Sequence, residues 1–266
     1  MNAFQFSAGK LPLLLSIPHA GTALTPEVEA GLSEEAKCLP DTDWHIPQLY
    51  EFAREMGASV LIGNYSRFVI DLNRPPDNQA LYTTATTGLY PETLFDGTPT
   101  FKPGMTPTAA QRAGYLQNIW QPYHDQIRQE LARIRQQFGY ALLFDAHSIA
   151  SHVPRLFDGQ LPDLNLGTND GASCSPAITD QLSAVCDAQS RFSWIMNGRF
   201  KGGYITRAYG KPAENLHAVQ LELAQCNYMD EQQPFAWRAD KAPQLQEMLR
   251  QLVETLLKQG KKLSPI

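Results

Sequence analysis

The sequence predicts an α/β fold, with a mixed, mostly parallel sheet that is covered by helices on both faces. Strand-like and helix-like segments alternate along the chain, which is the pattern of α/β proteins. The apolar runs at residues 11–17 and 140–144 are continuous, as expected of strands buried on both faces. Polar residues follow both runs, PHAG at 18–21 and DAHS at 145–148. Ligands bind where the carboxyl ends of parallel strands meet such loops.

The sequence predicts one domain, residues 1–266, with a small molecule as its partner. A hydrophobic content of 43% allows a sizeable core, and no repeat or linker divides the chain. The net charge of −5, from 22 basic and 27 acidic residues, argues against nucleic acid or an anionic membrane as a partner. No apolar run has the length of a membrane span. The four cysteines lack metal-binding spacing, which favours reduced thiols and a cytoplasmic location. The sequence indicates no oligomeric state.

Six segments are predicted to be strands because they are apolar and rich in strand-forming residues. The second and third lie so close in sequence that they are predicted to be neighbours in the sheet, with a hairpin as one arrangement. In chain order, the six segments are residues 13–17, 59–63, 68–72, 141–145, 192–196 and 218–223.

Four segments have apolar residues at helical spacings of three and four, namely residues 44–56, 108–138, 176–188 and 242–259. Gly57, Gly139 and Gly260 are predicted to end the first, second and fourth helices. Pro122 is predicted to kink the second helix or divide it in two. Residues 74–107 and 150–171 are rich in proline and glycine and are predicted to be long loops, which in compact domains are usually functional or disordered.

His19 and His147 follow the ends of two predicted strands, and small residues beside both leave space for a ligand. Two imidazoles and an acid are a typical ligand set of catalytic zinc, which leaves one position open for water. Asp43 is predicted to be the acid, with Asp41 as the alternative, although both would also suit the N-terminus of the following helix. The predicted cofactor is one divalent metal ion, zinc by preference, with cobalt or another divalent ion as alternatives.

Glu222 lies in the alternating segment VQLEL at 219–223. On an edge strand its carboxylate would face solvent. In a cleft, burial would raise its pKa and suit it to act as a general base.

Arg67 and Arg74 flank the predicted strand 68–72. A guanidinium group binds a carboxylate through two parallel hydrogen bonds, so both are candidates for substrate binding as well as for the solvated surface. Segment 197–207 (NGRFKGGYITR) places three cations, including Arg207, among three glycines. It predicts either a flexible basic hairpin or an anion pocket with a mobile lid, and it matches no phosphate-loop motif. The other histidines, His45, His124, His152 and His217, are predicted to be structural or surface residues, with a supporting bond to a metal-bound group as the alternative for His124.

Taken in order, these residues resemble the N-formylglutamate amidohydrolase (N-formylglutamate deformylase) family. The resemblance extends over most of the chain, from near residue 11 to near residue 225. The matching segments are residues 16–21, 41–44, 66–67, 71–75, 122–124, 145–148, 165–171, 202–207 and 220–222.

The resemblance implies a metal-dependent enzyme that hydrolyses N-formyl-L-glutamate to L-glutamate and formate, the last step of one histidine-degradation route. It also implies an α/β fold related to zinc carboxypeptidases. That group takes a His and a Glu ligand from an H-x-x-E motif, but Thr22 stands three residues after His19 here, so the acidic ligand must come from elsewhere. The resemblance assigns Glu222 as general base and Arg67, Asn73, Arg74 and Arg207 to substrate binding.

Two other functions remain open from the sequence. One is a metal-dependent amidase for another N-acyl amino acid, which the volume of the acyl pocket would distinguish. The other is a non-catalytic protein that binds an anion or a metal, which a turnover assay would distinguish.

Overall fold

The computed structural model describes residues 1–81, 83 and 85–263, and its centre is a seven-stranded sheet with the order β1-β3-β2-β4-β7-β5-β6. The adjacent strands β3, β2, β4 and β7 are parallel, while β1, β5 and β6 run in the opposite direction. This confirms the predicted mixed, mostly parallel sheet. The strands are β1 Phe4–Ser7, β2 Leu13–Ile17, β3 Ser59–Gly63, β4 Ala141–Ile149, β5 Leu164–Gly167, β6 Trp194–Met196 and β7 Leu216–Ala224.

Helices cover both faces of the sheet, as predicted. The helices are α1 Pro26–Gly31, α2 Ile46–Leu49, α3 Glu51–Met56, α4 Ala109–Tyr115, α5 Gln121–Phe138, α6 Pro176–Asp187, α7 Tyr204–Tyr209 and α8 Ala242–Leu263. Short 3₁₀ turns occupy Ala36–Cys38, Pro212–Glu214 and Gln225–Asn227.

The side chains of β4 alternate between two apolar cores, one on each face of the sheet. Leu142 and Phe144 belong to the core that contains α6 and α8, while Leu143 belongs to the core that contains α5. This alternation follows from the two-residue period of a strand. Asp145 and His147 share the face of Leu143, so they extend the α5 side of the sheet toward its carboxyl edge.

The predicted strand at 68–72 is wrong. Phe68, Val69 and Ile70 are buried in the core on the α5 side, but they lie in a turn in which the N–H of Val69 donates to the carbonyl of Ser66 (2.9 Å). The predicted pairing with β3 is absent because β1 occupies that edge of β3 in antiparallel register. Apolar residues can therefore be buried by a turn as well as by a strand.

Strand lengths also differ from those predicted. β4 continues four residues past Asp145, so that His147 lies within the strand, and β7 spans nine residues. β1 was not predicted, and β5 lies inside the predicted loop 150–171. Both are only four residues long, and their partners β3 and β7 lie more than 50 residues away, so local sequence gives little signal for them. Residues 82 and 84 of the predicted loop 74–107 lie outside the described residues.

The predicted helix 44–56 is two helices that meet at Tyr50. Its start moves to Ile46 because Pro47 has no N–H and fits only the first turn. The predicted break in helix 108–138 is confirmed, since a π-helical segment, Leu116–Trp120, separates α4 from α5 just before Pro122. The predicted helix 176–188 is confirmed to within one residue.

The prediction that Gly260 ends the last helix is wrong, because α8 continues to Leu263. Gly260 instead lies against the sheet, where an added Cβ would be 2.9 Å from Leu142 and Tyr140 side-chain atoms. Among the described residues, no helix is both long and apolar enough to cross a membrane.

Candidate active site

Three side chains that the sequence offers as metal ligands come together at the carboxyl edge of the sheet. His19 follows β2 by two residues, His147 lies within β4, and Asp43 lies in the loop before α2. One ligand atom of each lies within 4.8 Å of the others, and all three side chains are buried. The backbone N–H of Asp43 donates to the carbonyl of His19 (3.0 Å), which fixes this loop to the end of β2.

Each imidazole is oriented by a further carboxylate on its far side. His19 Nε2 lies 2.7 Å from Asp71 Oδ1, and His147 Nε2 lies 2.7 Å from Asp145 Oδ2. The two Nδ1 atoms face Asp43 Oδ2, at 3.8 Å from His19 and 3.1 Å from His147. Such carboxylates fix the ring and tautomer of a metal-binding histidine. The sequence assigned no role to Asp71 or Asp145. The role of Asp145 could have been predicted, because it lies two residues before His147 and therefore on the same face of a strand.

This donor set fits one divalent cation. Two imidazole nitrogens and a carboxylate oxygen converge in a buried position, and this combination is common in catalytic zinc sites. Asp145 Oδ1 is buried and has no hydrogen-bond partner among the described residues. An unpaired buried carboxylate oxygen is costly, and a cation nearby would offset its charge. Asp41 is not part of the group.

Neighbouring charges shift the pKa values of Asp71 and His147 strongly. Burial alone would raise the pKa of Asp71, but attraction to His19 and Arg67 holds it well below its ordinary value. Burial alone would lower the pKa of His147, but Asp145 and Asp43 hold it well above its ordinary value. Binding of a cation to His147 would therefore compete with a proton.

Glu222 lies beside these residues on β7. It is opposite His147 in the register of the parallel β4–β7 pair, and only 8% of its surface is exposed. Burial is the main cause that raises its pKa to about 8; the charges of Asp43 and Asp145 add to this, and those of His147 and Arg67 oppose it. A carboxylate with a raised pKa beside a metal site is suited to proton transfer.

Three arginines line the cavity above this group. Arg67 donates to Asp71 Oδ2 (2.7 Å), and its guanidinium carbon lies 4.6 Å from the centre of the Phe95 ring. Arg74 donates to the carbonyls of Asn73 and Thr87 and to Thr86 Oγ1, at 2.7 to 3.0 Å. Arg199 donates to the carbonyls of Leu156 and Ala85, both at 2.7 Å. The sequence did not assign Arg199 individually to substrate binding, although it is one of the three cations of segment 197–207, for which an anion pocket was one prediction.

The other two predicted substrate-binding residues lie differently. Asn73 lines the cavity, but its Oδ1 accepts from the N–H of Ile205 (2.8 Å), so it also fixes the first turn of α7. Gly203 allows this approach, because a Cβ there would lie 2.3 Å from Asn73 Nδ2. Arg207 lies on α7, donates to the carbonyl of Gly202 (2.8 Å), and is not among the described residues that line the cavity.

The cavity opens to solvent, and the space inside it, counted with that open solvent, is about 550 Å³. It is lined by the candidate metal ligands His19, Asp43 and His147, by Glu222 and by the three arginines. The remaining wall residues are Asn73, Thr86, Thr87, Phe95, Ile149, Leu156, Phe200, Gly203 and Gln220.

Asp41 and His124, which the sequence offered as an alternative ligand and a supporting residue, contact neighbouring segments of the fold instead. Asp41 accepts a hydrogen bond from the backbone N–H of Phe95 (2.8 Å), and burial raises its pKa to about 6. His124 contacts the carbonyl of Leu72 and the hydroxyl of Tyr209, both at 2.8 Å. The bonds that orient His19 and His147 come instead from Asp71 and Asp145.

A family profile and two related proteins match most or nearly all of the chain. The sequence profile of the N-formylglutamate amidohydrolase family matches residues 11–229. The N-formylglutamate deformylase of Pseudomonas aeruginosa PAO1 is 62% identical over 260 residues, which is 98% of each chain. That of Pseudomonas putida is 60% identical over 259 residues, which is 97% of each chain.

Solved structures show the same fold at lower identity. A crystal structure of an N-formylglutamate amidohydrolase from Ralstonia eutropha JMP134 superposes with a TM-score of 0.81 at 23% identity, covering 97% of this chain and 98% of that one. A gene product of Agrobacterium tumefaciens superposes with a TM-score of 0.72 at 17% identity, covering 97% and 94%. With a family profile that matches most of the chain and relatives above 60% identity, the chain belongs to the N-formylglutamate amidohydrolase family.

Proposed function

We propose that this protein hydrolyses N-formyl-L-glutamate to L-glutamate and formate, with one divalent cation held by His19, Asp43 and His147. The observation that supports this most directly is a metal-ligand set and a buried acid beneath three cavity-lining arginines. Two relatives that match nearly the whole chain are named for this reaction. Zinc is our assignment because it favours such ligands, and cobalt would accept the same donors. A cytoplasmic location belongs to the same proposal, supported by four unpaired cysteines.

Glu222 is the proton carrier in this proposal. When bound, the cation would lower the pKa of a water molecule and polarise a carbonyl oxygen. Glu222 takes a proton from the attacking water as the new C–O bond forms. It delivers that proton to the glutamate nitrogen as the C–N bond breaks.

Arg67 is assigned to the negative charge that develops on the formyl oxygen. It lines the cavity, and its partner Asp71 also bonds His19. It is only 6% exposed, and a buried, permanent cation stabilises developing charge more strongly than a solvated one.

Arg74 and Arg199 are assigned to the two carboxylates of the substrate. Both line the cavity and donate to carbonyl or hydroxyl oxygens of its wall. A carboxylate forms stronger hydrogen bonds with guanidinium than a carbonyl does. The assignments of Asn73 and Arg207 to substrate binding remain predictions, and Arg207 would act from α7, next to the cavity wall at Gly203.

The reaction is tested by measuring formate release from N-formyl-L-glutamate before chelation, after chelation and after return of zinc or cobalt. We expect chelation to abolish turnover and either metal to restore it. Full activity in a protein shown by elemental analysis to be metal-free would contradict the metal assignment. Absence of formate release under every condition would contradict the substrate.

Replacing arginine by lysine tests the carboxylate assignments, because lysine keeps the charge but loses the planar fork. We expect Arg74→Lys and Arg199→Lys to raise KM for N-formyl-L-glutamate without changing the metal content. Arg207→Lys is the comparison that decides between the cavity arginines and the arginine of α7. Unchanged KM in the first two variants and a raised KM in the third would favour Arg207.

A further inference from the structure

A second cavity lies directly beside the active-site cavity. Its walls include the apolar residues Leu94, Val153 and Phe235. Among the residues that the structure describes, the two cavities have only Phe95 and Ile149 in common. These two side chains therefore form a partition between the active site and an adjacent, partly apolar space.

The partition stands at the reacting end of the active site. Ile149 follows His147 by two residues on β4, so both side chains lie on the same face of the strand. The ring of Phe95 lies against the Arg67 guanidinium, and Asp71 connects Arg67 to His19. Ile149 is thus two residues from His147, and Phe95 is connected to His19 through Arg67 and Asp71.

Several contacts hold the partition in place. The backbone N–H of Phe95 donates to Asp41 Oδ2 (2.8 Å), and its ring is covered on one side by the guanidinium of Arg67. Ile149 is only 3% exposed and belongs to a small apolar cluster with Val153. These contacts place both side chains between the two cavities.

We propose that Phe95 and Ile149 restrict the acyl group of the substrate to formyl. This inference rests on the proposed deformylase function. With the substrate carboxylates at Arg74 and Arg199 and its carbonyl beside the metal-binding group, the substituent on that carbonyl points toward the partition. A formyl carbon carries only hydrogen there, whereas a longer acyl chain would have to occupy the volume of the Phe95 ring.

Opening the partition tests this inference. Phe95→Ala and Ile149→Ala are assayed with N-formyl-, N-acetyl- and N-butanoyl-L-glutamate. In each reaction water cleaves the amide C–N bond to give a carboxylate and glutamate. We expect the ratio of kcat/KM for the butanoyl substrate to that for the formyl substrate to rise about tenfold or more in at least one variant, since a single methylene changes such discrimination by roughly 10- to 200-fold.

Leu156→Ala is the matched control, because Leu156 lines the active-site cavity but not the second cavity. It enlarges the site without joining the two spaces, so the same ratio should stay near that of the parent. An equal rise in Leu156→Ala would show that volume alone limits the acyl group and would overturn the inference.

The inference also fails if the parent enzyme already hydrolyses the butanoyl substrate as well as the formyl substrate. It fails as well if both partition variants release formate yet keep the parent ratio. Phe95→Ala could lose all activity because the Phe95 ring contacts Arg67; the substrate ratio of Ile149→Ala then tests the inference. If Ile149→Ala does not fold, Ile149→Val is assayed in its place. A parent that releases no formate contradicts the proposed function instead, so the two failures are distinguishable.

Discussion

At the scale of single residues, the site is organised by pairs of a histidine and a carboxylate. His19 and His147 each present Nδ1 toward Asp43, because Asp71 and Asp145 hold the Nε2 atoms. An imidazole that donates its Nε2 proton leaves the Nδ1 lone pair for a metal. The two carboxylates therefore decide which nitrogen of each ring can serve as a ligand.

Replacing Asp71 or Asp145 by asparagine should weaken metal binding while leaving all three ligands present. Loss of such a partner typically lowers metal affinity by about 10- to 100-fold. Competition with a coloured chelator measures the zinc dissociation constant. His152→Ala is the control, because His152 is exposed and outside the ligand group. An affinity equal to that of the parent in both asparagine variants would assign Asp71 and Asp145 to the fold alone.

Glu222→Gln should leave metal content unchanged but lower kcat by roughly 10²- to 10⁴-fold, the usual contribution of a general base. Glutamine is nearly the same size as glutamate, so the packing of β7 should be preserved. Steady-state formate release and elemental analysis of the same sample test this. A kcat close to that of the parent would mean that another group carries the proton.

At the scale of secondary-structure elements, two neighbouring parallel strands set the catalytic geometry. Residues of β4 and β7 pair in register from Ala141 to Ile149 and from Leu216 to Ala224, so His147 and Glu222 lie side by side. The first turn of α7 closes the same end of the sheet, because the N–H of Gly203 donates to Gln220 Oε1 (2.7 Å). Extending both strands beyond their apolar centres is what brings the polar residues together.

A glycine-to-alanine substitution is expected to have opposite effects on stability in α8 and in α4, because the space around the two glycines differs. Gly260→Ala should destabilise the protein by about 1–3 kcal/mol, because the added methyl group would overlap Leu142 and Tyr140 in a filled core. Gly114→Ala, in α4, should be neutral or stabilise by up to about 1 kcal/mol, because the nearest atom is 4.0 Å away. Urea unfolding measures both. A more stable Gly260→Ala variant would show that helix propensity outweighs the close approach to β4.

At the scale of the whole molecule, the active site lies where four parallel strands end and the two faces of the sheet carry separate cores. The chain segments that bound this edge come from residues far apart in sequence.

A buried histidine on the α5 side, His124, is expected to influence the stability of the whole fold. His124 stacks on Trp120 with ring centroids 3.7 Å apart, and burial lowers its pKa to about 3.

The buried ring of His124 predicts that acid destabilises the protein. Between pH 6.5, the ordinary pKa of histidine, and about pH 3, the unfolded chain binds a proton at this residue that the folded chain does not. Stability at this site therefore falls as the pH falls, by up to about 1.4 kcal/mol for each pH unit below 6.5.

His124→Gln should reduce the loss of stability between pH 7 and pH 5, although the variant is less stable at pH 7. His152→Gln, which changes an exposed histidine, should keep the parent dependence. Urea unfolding of chelated protein at several pH values measures the slopes. Equal slopes for the parent and His124→Gln would show that other groups dominate the acid response.

The sequence by itself determined the class of fold and the residues from which the site could be built. The strands 13–17 and 59–63 and the helix from Pro176 are local patterns of apolar residues, so their signal is complete within a few residues. His19 and His147 were identifiable because each lies close to the end of an apolar run. Family motifs in order along the chain then indicated the chemistry.

Only the tertiary structure decided which polar residues meet. Asp71 reaches His19 across 52 positions of the chain, and Asp43 reaches His147 across 104. The position of Asp43, rather than Asp41, beside the two histidines depends on such distant partners. So do the place of Arg199 in the cavity wall and the turn at Phe68. No local pattern specifies them, because burial and hydrogen bonding in the folded chain are set by segments that are remote in sequence.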